Sequence, residues 1–348
     1  MGAAIAFVLG AGCSIYYLGF APMVAFDSPR IVSIKKGETV RTIAGKLEAA
    51  GVIRSALAAR IYARLTGQAA HLQPGDYAFK GSERMPEVVR HLVNGDFILV
   101  TLTIPEGLTV HQIAARLEEA GLGCDTDFEK AARNGPIVKA LGLAPLGAEG
   151  RLFPATYSFP PSAGIGKILT TMLARFYATL TPRVEERMFK LGLTERELLT
   201  LASIVEKEAK LEQERPLIAG VLYNRLRFNM PLQSDPTARY NYEGATGSAL
   251  QAVHTLSAFN TYDFVGLPPG PIANPGMASI MAALYPAQTN YLYFVARNDG
   301  THIFSRSLET HNRAVALLRK NGARKAHPAA TLMARPAEQD TDASDRSN

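Results

Sequence analysis

The stretch "LTERELLTLASIVEKEAKLEQER", residues 193–215, predicts one amphipathic helix. Thr194 followed three residues later by Glu197 forms a capping box, so we expect the helix to begin there. Apolar residues then recur every three or four positions and form one buried stripe. Glu206 and Glu208 fall on opposite edges of that stripe. The polar positions predicted to face solvent are Thr200, Ser203, Lys207 and Lys210.

The position of these two glutamates has two interpretations. Burying an ionised carboxylate without partners is costly, so each is paired, open to a cleft, or protonated. Pairing would come from Arg215, Arg225 or Arg227 on the following segment. Alternatively, apolar neighbours raise the pKa of one carboxyl and make it a general acid. The spacing alone leaves both interpretations open.

Composition indicates a globular chain without a nucleic-acid or metal signature. The 348 residues are 47% hydrophobic and 20% charged, with a formal net charge of +6, which allows one substantial core and one or two small modules. No Lys/Arg block stands out, so we expect no nucleic-acid partner. Cys13 and Cys124 are not expected to form a disulfide. His302 and His311 lack metal-ligand spacing, and we predict neither metal nor cofactor.

The N-terminus predicts a membrane anchor. Residues 1–26 contain no charged side chain, and such a run can span about 30 Å of hydrocarbon as a helix. A cleaved signal peptide is the alternative, but the cationic n-region is absent. Basic residues follow the span, namely Arg30, Lys35 and Lys36. By themselves they would favour placing the residues after the span on the cytoplasmic side.

An internal repeat organises the first half of the chain. Residues 37–51, "GETVRTIAGKLEAAG", align with residues 107–121, "GLTVHQIAARLEEAG", with nine identities in fifteen positions. Each copy has helical apolar spacing, ends on glycine, and follows a strand-like stretch. Between the copies, a turn and short strand at residues 72–79 precede a helix at residues 85–96. We therefore predict a duplicated strand–helix module, and residues 31–97 resemble a LysM-like glycan-binding module.

Several ordered motifs resemble those of the MltG (YceG-like) family of membrane-anchored endolytic murein transglycosylases. They follow the chain from the glutamate helix to the C-terminal part. Phe259 stands where that family usually carries Tyr. The motifs are "ASIVEKEA" (202–209), "LYNRL" (222–226), "MPLQSDPTARY" (230–240), "FNTYDFVGLPPGPIANPG" (259–276), "YLYFVA" (291–296) and "HNRAV" (311–315).

This resemblance implies an α+β architecture with an N-terminal transmembrane helix, LysM-like strand/helix modules and a mixed α/β catalytic domain. We expect the anchor at residues 1–26, the LysM-like module at 31–97 and a second repeat or connecting module at 98–148. The catalytic transglycosylase domain would cover residues 149–322. The polar, Pro- and Ala-rich tail at 323–348 is predicted to be disordered.

The resemblance also implies site residues. The family's catalytic acid aligns with Glu208, and Glu206 is the alternative acid. The predicted substrate-binding residues are Gln233, Asp235, Asn260, Tyr262 and Asn274.

Each substrate-binding prediction has a structural alternative. Ser234 or Asp235 would cap a short helix opened by Pro236. The "NTY" segment, residues 260–262, would form a capped turn. His311 and Asn312 are weaker candidates, because a buried histidine with satisfied hydrogen bonds is commoner than a substrate contact.

The implied activity is cleavage of the MurNAc–GlcNAc bond of nascent peptidoglycan to 1,6-anhydroMurNAc ends, terminating glycan strand elongation. The expected partners are peptidoglycan strands and penicillin-binding protein synthases, with most of the chain outside the cytoplasmic membrane. The alternatives are a non-catalytic, membrane-anchored glycan-binding scaffold and a hydrolytic muramidase. A muramidase requires a second carboxylate, for which Asp235 and Glu212 are candidates.

Overall fold

The computed structural model is a mixed α+β fold, as predicted. It describes Tyr17, Ala21 and residues 26–240, 253–254, 256–297 and 299–320, with the side chains of residues 319 and 320 excluded. Within these residues, no helix has both the length and the apolar character needed to cross a membrane. Nearly all of the predicted anchor and the whole predicted tail at residues 323–348 lie outside the described residues.

The chain divides into two compact units. The first comprises residues 1–102, 117–124 and 156–168, and the second comprises residues 103–116, 125–155 and 169–348. The helices up to the middle of the chain are α1 (Val40–Ala49), α2 (Ala56–Leu65), α3 (Met85–Asn94), α4 (Val110–Glu119), α5 (Asp125–Asn134) and α6 (Pro136–Ala140). The strands are β1 (Arg30–Ile34), β2 (Gly75–Phe79), β3 (Val100–Ile104) and β4 (Ala155–Phe159).

In the first unit, β1 and β2 pair antiparallel with Val32 opposite Tyr77. The elements follow in the order β1–α1–α2–β2–α3, in which α2 was not predicted from the sequence, and the likeness to LysM stays a prediction. Alternate strand residues face the core, where Ile34 and Phe79 join apolar residues of α1 and α3 such as Leu47. These contacts make the small sheet one wall of an apolar core.

The two copies of the repeat fold alike at both ends of their helices. The hydroxyl of Thr39 accepts from the Thr42 amide, and the hydroxyl of Thr109 accepts from the Gln112 amide, each at 3.2 Å. Gly51 and Gly121 follow the helices with φ of +68° and +71°, a conformation that favours glycine. The strand β3 precedes the second copy, as β1 precedes the first. Both copies of the repeat therefore place a strand before a helix that begins after a threonine cap and is followed by glycine.

The second unit packs its helices around the glutamate helix. The remaining helices, of which α7 begins in the first unit, are α7 (Ile165–Tyr177), α8 (Pro182–Leu191), α9 (Glu195–Glu208), α10 (Arg215–Arg227), α11 (Asp235–Tyr240), α12 (Met277–Leu284) and α13 (Leu308–Lys320). Its last two strands, β5 (Tyr293–Ala296) and β6 (His302–Ser305), form an antiparallel hairpin. The helix α9 begins after Thr194 with the predicted capping box.

The prediction that Thr200 and Ser203 face solvent is wrong. Every residue from 198 to 205 is buried, because α9 packs against α10, α11 and α12. The Thr200 hydroxyl donates to the Arg196 carbonyl at 2.7 Å, and the Ser203 hydroxyl donates to the Thr200 carbonyl at 2.8 Å. Ser203 also accepts from the Ile272 amide at 3.0 Å. These bonds allow two hydroxyls to lie inside the core.

Candidate active site

Glu208 is the last residue of α9 and is half-buried. The Ser234 hydroxyl donates to its Oε1 at 2.6 Å. Burial raises the pKa of the Glu208 carboxyl to about 7; the Ser234 hydrogen bond opposes that shift and the nearby Asp235 charge adds to it. The carboxyl is therefore poised near neutrality, where one group can both give and take a proton.

The short segment of residues 231–234, hereafter the 231–234 strap, carries the hydroxyl that contacts Glu208. Gln233 has a φ of +49°, in the left-handed region that few non-glycine residues adopt. The backbone amide of Gln233 donates to the Thr261 carbonyl at 3.0 Å, and the backbone amide of Ser234 donates to the Thr261 hydroxyl at 3.1 Å. Thr261 thus fixes both strap residues next to the acid, and the unusual backbone belongs to this arrangement.

A buried arginine also contacts the 231–234 strap. Arg225, on α10, is 2% exposed and donates to the carbonyls of Pro231 and Leu232 and to Gln233 Oε1, at 3.1, 3.0 and 3.3 Å. Its Nε also donates to the Leu292 carbonyl at 2.7 Å. Burial lowers the Arg225 pKa, and its positive charge partly offsets the upward shift of the Glu208 pKa.

Asp235 and Tyr262 form a pair beside the acid. Asp235 opens α11, and the Tyr262 hydroxyl donates to its Oδ1 at 2.7 Å. Burial, followed by the Asp235 charge, holds the pKa of the Tyr262 hydroxyl well above its ordinary value. Of the predicted substrate-binding residues, Gln233, Asp235 and Tyr262 are therefore brought together around Glu208.

Glu206 lies in a different environment, although it is only two residues away. Its Oε1 pairs with Arg215 at 3.2 Å, and its Oε2 accepts from the Gly276 amide at 3.0 Å and the Ser279 hydroxyl at 2.8 Å. Glu106 also approaches Arg215, at 3.7 Å. The paired interpretation of the helix carboxylates therefore describes Glu206, with Arg215 as the partner.

Asn260 and Asn274 are fully buried and use their amides inside the protein. The Asn260 side chain donates to the Val253 carbonyl at 3.0 Å and accepts from the Tyr262 amide at 3.3 Å, which is the capped turn considered above. Asn274 donates to Glu149 at 3.0 Å and, like Asn260, to a backbone carbonyl. These positions argue for support of the surrounding loops instead of the direct substrate contact predicted for both.

The remaining candidates do not gather at Glu208 in the same way. Glu212 is exposed in a short 3-10 turn, and Asn312 is exposed on α13. His311 is fully buried and stacks on the Tyr293 ring at 5.4 Å between centroids. Within the described residues neither ring nitrogen of His311 has a hydrogen-bond partner, so it is buried as predicted but not satisfied. Burial lowers its pKa.

Comparison with known proteins settles the family. The model of the YceG-like family matches residues 32–317. The chain belongs to the YceG-like family. The Bacillus subtilis protein named endolytic murein transglycosylase is 34% identical over 325 residues, covering 87% of this YceG-like chain and 89% of the relative. A Streptococcus pneumoniae protein of the same name is 33% identical over 319 residues, covering 82% of this chain but 57% of the longer relative.

A solved structure supports the same assignment. The crystal structure of a yceG-like protein from Listeria monocytogenes superposes with a TM-score of 0.58 at 31% sequence identity. The match covers 82% of this chain and 99% of that one. The shared fold therefore extends over most of the YceG-like chain.

Sequence reasoning missed three residues that organise this YceG-like site. Ser234 was considered only as a helix cap, yet its hydroxyl contacts the acid. Arg225 was considered as a carboxylate partner, yet it binds the strap. Thr261, inside the quoted "NTY" segment, was not considered at all. The available signal was the polar triplet "QSD" (233–235), which begins two residues after Pro231. The φ of Gln233 and the contacts of the triplet, however, depend on distant chain segments.

Proposed function

We propose that this chain is an endolytic lytic transglycosylase that cleaves the MurNAc–GlcNAc bond of nascent peptidoglycan. The products would carry 1,6-anhydroMurNAc ends, and cleavage would terminate elongation of the glycan strand. The observation that carries the proposal is the half-buried Glu208 carboxyl, with a pKa of about 7, held by the Ser234 hydroxyl. The names of the Bacillus and Streptococcus relatives support the same activity.

One carboxyl is sufficient for this reaction. Protonated Glu208 donates its proton to the glycosidic oxygen as the bond from that oxygen to muramic C1 breaks and an oxocarbenium-like state develops. The resulting carboxylate then removes the proton of the muramic C6 hydroxyl, whose oxygen forms the new bond to C1. Because the nucleophile belongs to the substrate, proximity supplies the attack and no activated water is required.

The neighbouring groups suit both halves of this cycle. The Ser234 hydroxyl can donate to the ionised Glu208 between the two proton transfers, which stabilises the carboxylate. Tyr262 offers an aromatic face and Gln233 an amide for an N-acetyl group or sugar hydroxyl. We assign Gln233, Asp235 and Tyr262 to the substrate side of the site, and Asn260 and Asn274 to positioning of its loops.

The location and partners follow from the same proposal. Residues 1–26 would anchor the chain in the cytoplasmic membrane, with the remainder on the outer side, where nascent strands are made. The repeated strand–helix modules, including the LysM-like region at residues 31–97, would bind glycan. Penicillin-binding protein synthases would supply the strands that are cut.

A hydrolytic muramidase is the second candidate, and one observation favours considering it. The Asp235 charge acts directly on the Glu208 pKa, so a second carboxyl lies near the acid. However, the Tyr262 hydroxyl donates to Asp235 Oδ1 at 2.7 Å, so this oxygen already has a partner inside the protein. The non-catalytic scaffold would require that Glu208 perform no chemistry at all.

Product analysis distinguishes these functions. Purified peptidoglycan strands are incubated with the wild-type chain, with Glu208→Gln and with Glu185→Gln, an exposed glutamate of α8 that serves as control. We expect anhydro-muramic ends from the wild-type and control proteins and about 10³-fold slower cleavage by Glu208→Gln. Reducing ends would replace the proposal with hydrolysis, and absence of cleavage by folded wild-type protein would favour the scaffold.

A further inference from the structure

A cavity in the second unit has a basic lining. It has a volume of about 590 Å³ and lies between α8, α10 and the loop after α12. Arg187, Arg227 and Arg306 line it, and none of the described lining residues is acidic. A cavity of this size suits a small ligand or the end of a chain. Three guanidiniums without a facing carboxylate favour an anion.

The three guanidiniums retain donors for a ligand. Arg187 donates to the Leu284 carbonyl at 2.8 Å, and Arg227 donates to Asn224 Oδ1 at 3.2 Å. The guanidinium carbon of Arg306 lies 5.9 Å from the centroid of the Tyr291 ring. No carboxylate forms an ion pair with any of the three in the described part of the chain. Because each guanidinium has five N–H donors, most of that capacity is available to an incoming oxyanion.

This cavity shares a helix turn and a loop with the candidate active site. Asn224 lines the cavity and donates to the Tyr291 carbonyl at 2.9 Å. The next residue, Arg225, donates to the Leu292 carbonyl at 2.7 Å and to the 231–234 strap beside the acid. Asn224 and Arg225 are consecutive residues of α10, so we expect the two sites to lie about one helix diameter apart, on the order of 10 Å.

That separation lies within the reach of a peptide stem on a glycan. A murein stem of about five residues extends roughly 15 Å and carries several carboxylates. Arginine forks match carboxylates in geometry as well as charge. We propose that this cavity is a subsite for the carboxylates of a stem peptide attached to the glycan held at Glu208. This inference rests on the proposed function. It concerns the stem peptide, a part of the substrate that the residues around Glu208 do not contact.

A peptide titration tests the subsite without requiring catalysis. Binding of a free murein stem peptide to the full chain is measured by calorimetry for the wild type and for the double variant Arg227→Gln, Arg306→Gln. Arg183→Gln is the control, because Arg183 is an exposed residue of α8 that does not line the cavity. We expect about tenfold weaker binding for each cavity arginine removed, and unchanged binding for the control.

Two further ligands show which chemical group the cavity binds. A stem peptide with amidated carboxyls is expected to bind the wild type as weakly as the free peptide binds the double variant. Vesicles of anionic phospholipid are expected to bind the wild type and the double variant equally. Failure of the wild type to bind the free peptide, or equal binding by the double variant, would overturn the inference. The inference would also be overturned if vesicle binding required Arg227 and Arg306 while the stem peptide did not bind.

Cleavage assays separate this inference from the proposed function. Glycan strands that retain their stems are compared with strands from which an amidase has removed them. We expect the wild type to prefer stem-bearing strands by about tenfold or more in kcat/KM, and the double variant to lose that preference. Equal preference in both proteins contradicts the subsite. If the wild type cuts neither strand, the proposed function fails, while the peptide titration still decides whether the cavity binds carboxylates.

Discussion

Two carboxyls in the last turn of α9 have opposite surroundings. Glu206 accepts from a guanidinium, a backbone amide and a hydroxyl, contributed by Arg215, Gly276 and Ser279. Glu208 accepts from the Ser234 hydroxyl, and burial raises its pKa to about 7. Glu206 is held in place by three donors, whereas burial with few donors favours the protonated form of Glu208. The number and charge of donors therefore decide which glutamate supports the fold and which is suited to proton transfer.

The largest effect on stability is expected at the paired carboxyl. The Glu206 and Arg215 side chains are 7% and 13% exposed, and Glu206→Ala removes the nearer of the two carboxylates that pair with this buried guanidinium, leaving Glu106 at 3.7 Å. We expect a loss of about 3–5 kcal/mol in the free energy of unfolding, measured by urea denaturation. Glu208→Ala is the matched variant two residues later and is expected to lose much less. Equal losses would contradict the division of roles between the two glutamates.

The dependence of stability on pH gives the next largest effect. Glu208 has an ordinary pKa of 4.5 and a folded-state pKa of about 7. Below pH 4.5 both states are protonated, and between these values the unfolded chain ionises while the folded chain keeps its proton. The free energy of unfolding therefore falls as pH rises through this window, and the decrease is complete above pH 7. Relative to Glu208→Gln, the wild type should lose up to about 3 kcal/mol.

Denaturation of both proteins at pH 4 and pH 8 checks this expectation. The comparison uses the difference between wild type and variant at each pH, which removes the contribution of other titrating groups. A constant difference across the range would mean that the Glu208 carboxyl ionises equally in the folded and unfolded chains.

Removing the hydroxyl at each glutamate gives the smallest expected effect. Ser234→Ala removes the only hydrogen bond from a side-chain hydroxyl to Glu208 in the described residues, so the pKa of the acid should rise further, by about one unit. The alkaline limb of the kcat/KM profile should then move to higher pH. Ser279→Ala removes the corresponding hydroxyl from Glu206 and should leave that limb in place while lowering stability by about 1 kcal/mol. An identical shift in both variants would argue against a specific role for Ser234.

The sequence predicted local features of α9 well but not its surroundings. Thr194 and Glu197 formed the expected cap, because capping depends on residues close in the chain. The repeat also predicted both helices of the duplicated module. Burial of Thr200 and Ser203 was not predictable, because it depends on α10, α11 and α12 and on hydrogen bonds made after the helix forms.

The site was predicted in part for the same reason. Alignment with the family indicated Glu208, but geometry on one helix could not separate it from Glu206. The separation arises from Arg215 and the 231–234 strap, which approach α9 from later segments. The left-handed conformation of Gln233 has no sequence signal, since glycine or asparagine is the usual residue there. Tertiary contacts therefore supplied what the local pattern lacked.

The protonation state of Glu208 is the most direct test of this account. Carbon-detected NMR of the side-chain carboxyls, with the Glu208 signal assigned by its loss in Glu208→Gln, follows its titration in the folded chain without substrate. We expect an apparent pKa near 7 for the Glu208 carboxyl. Titration near the ordinary value of 4.5 would contradict it, because the carboxyl would then be ionised at neutral pH and unable to protonate the glycosidic oxygen.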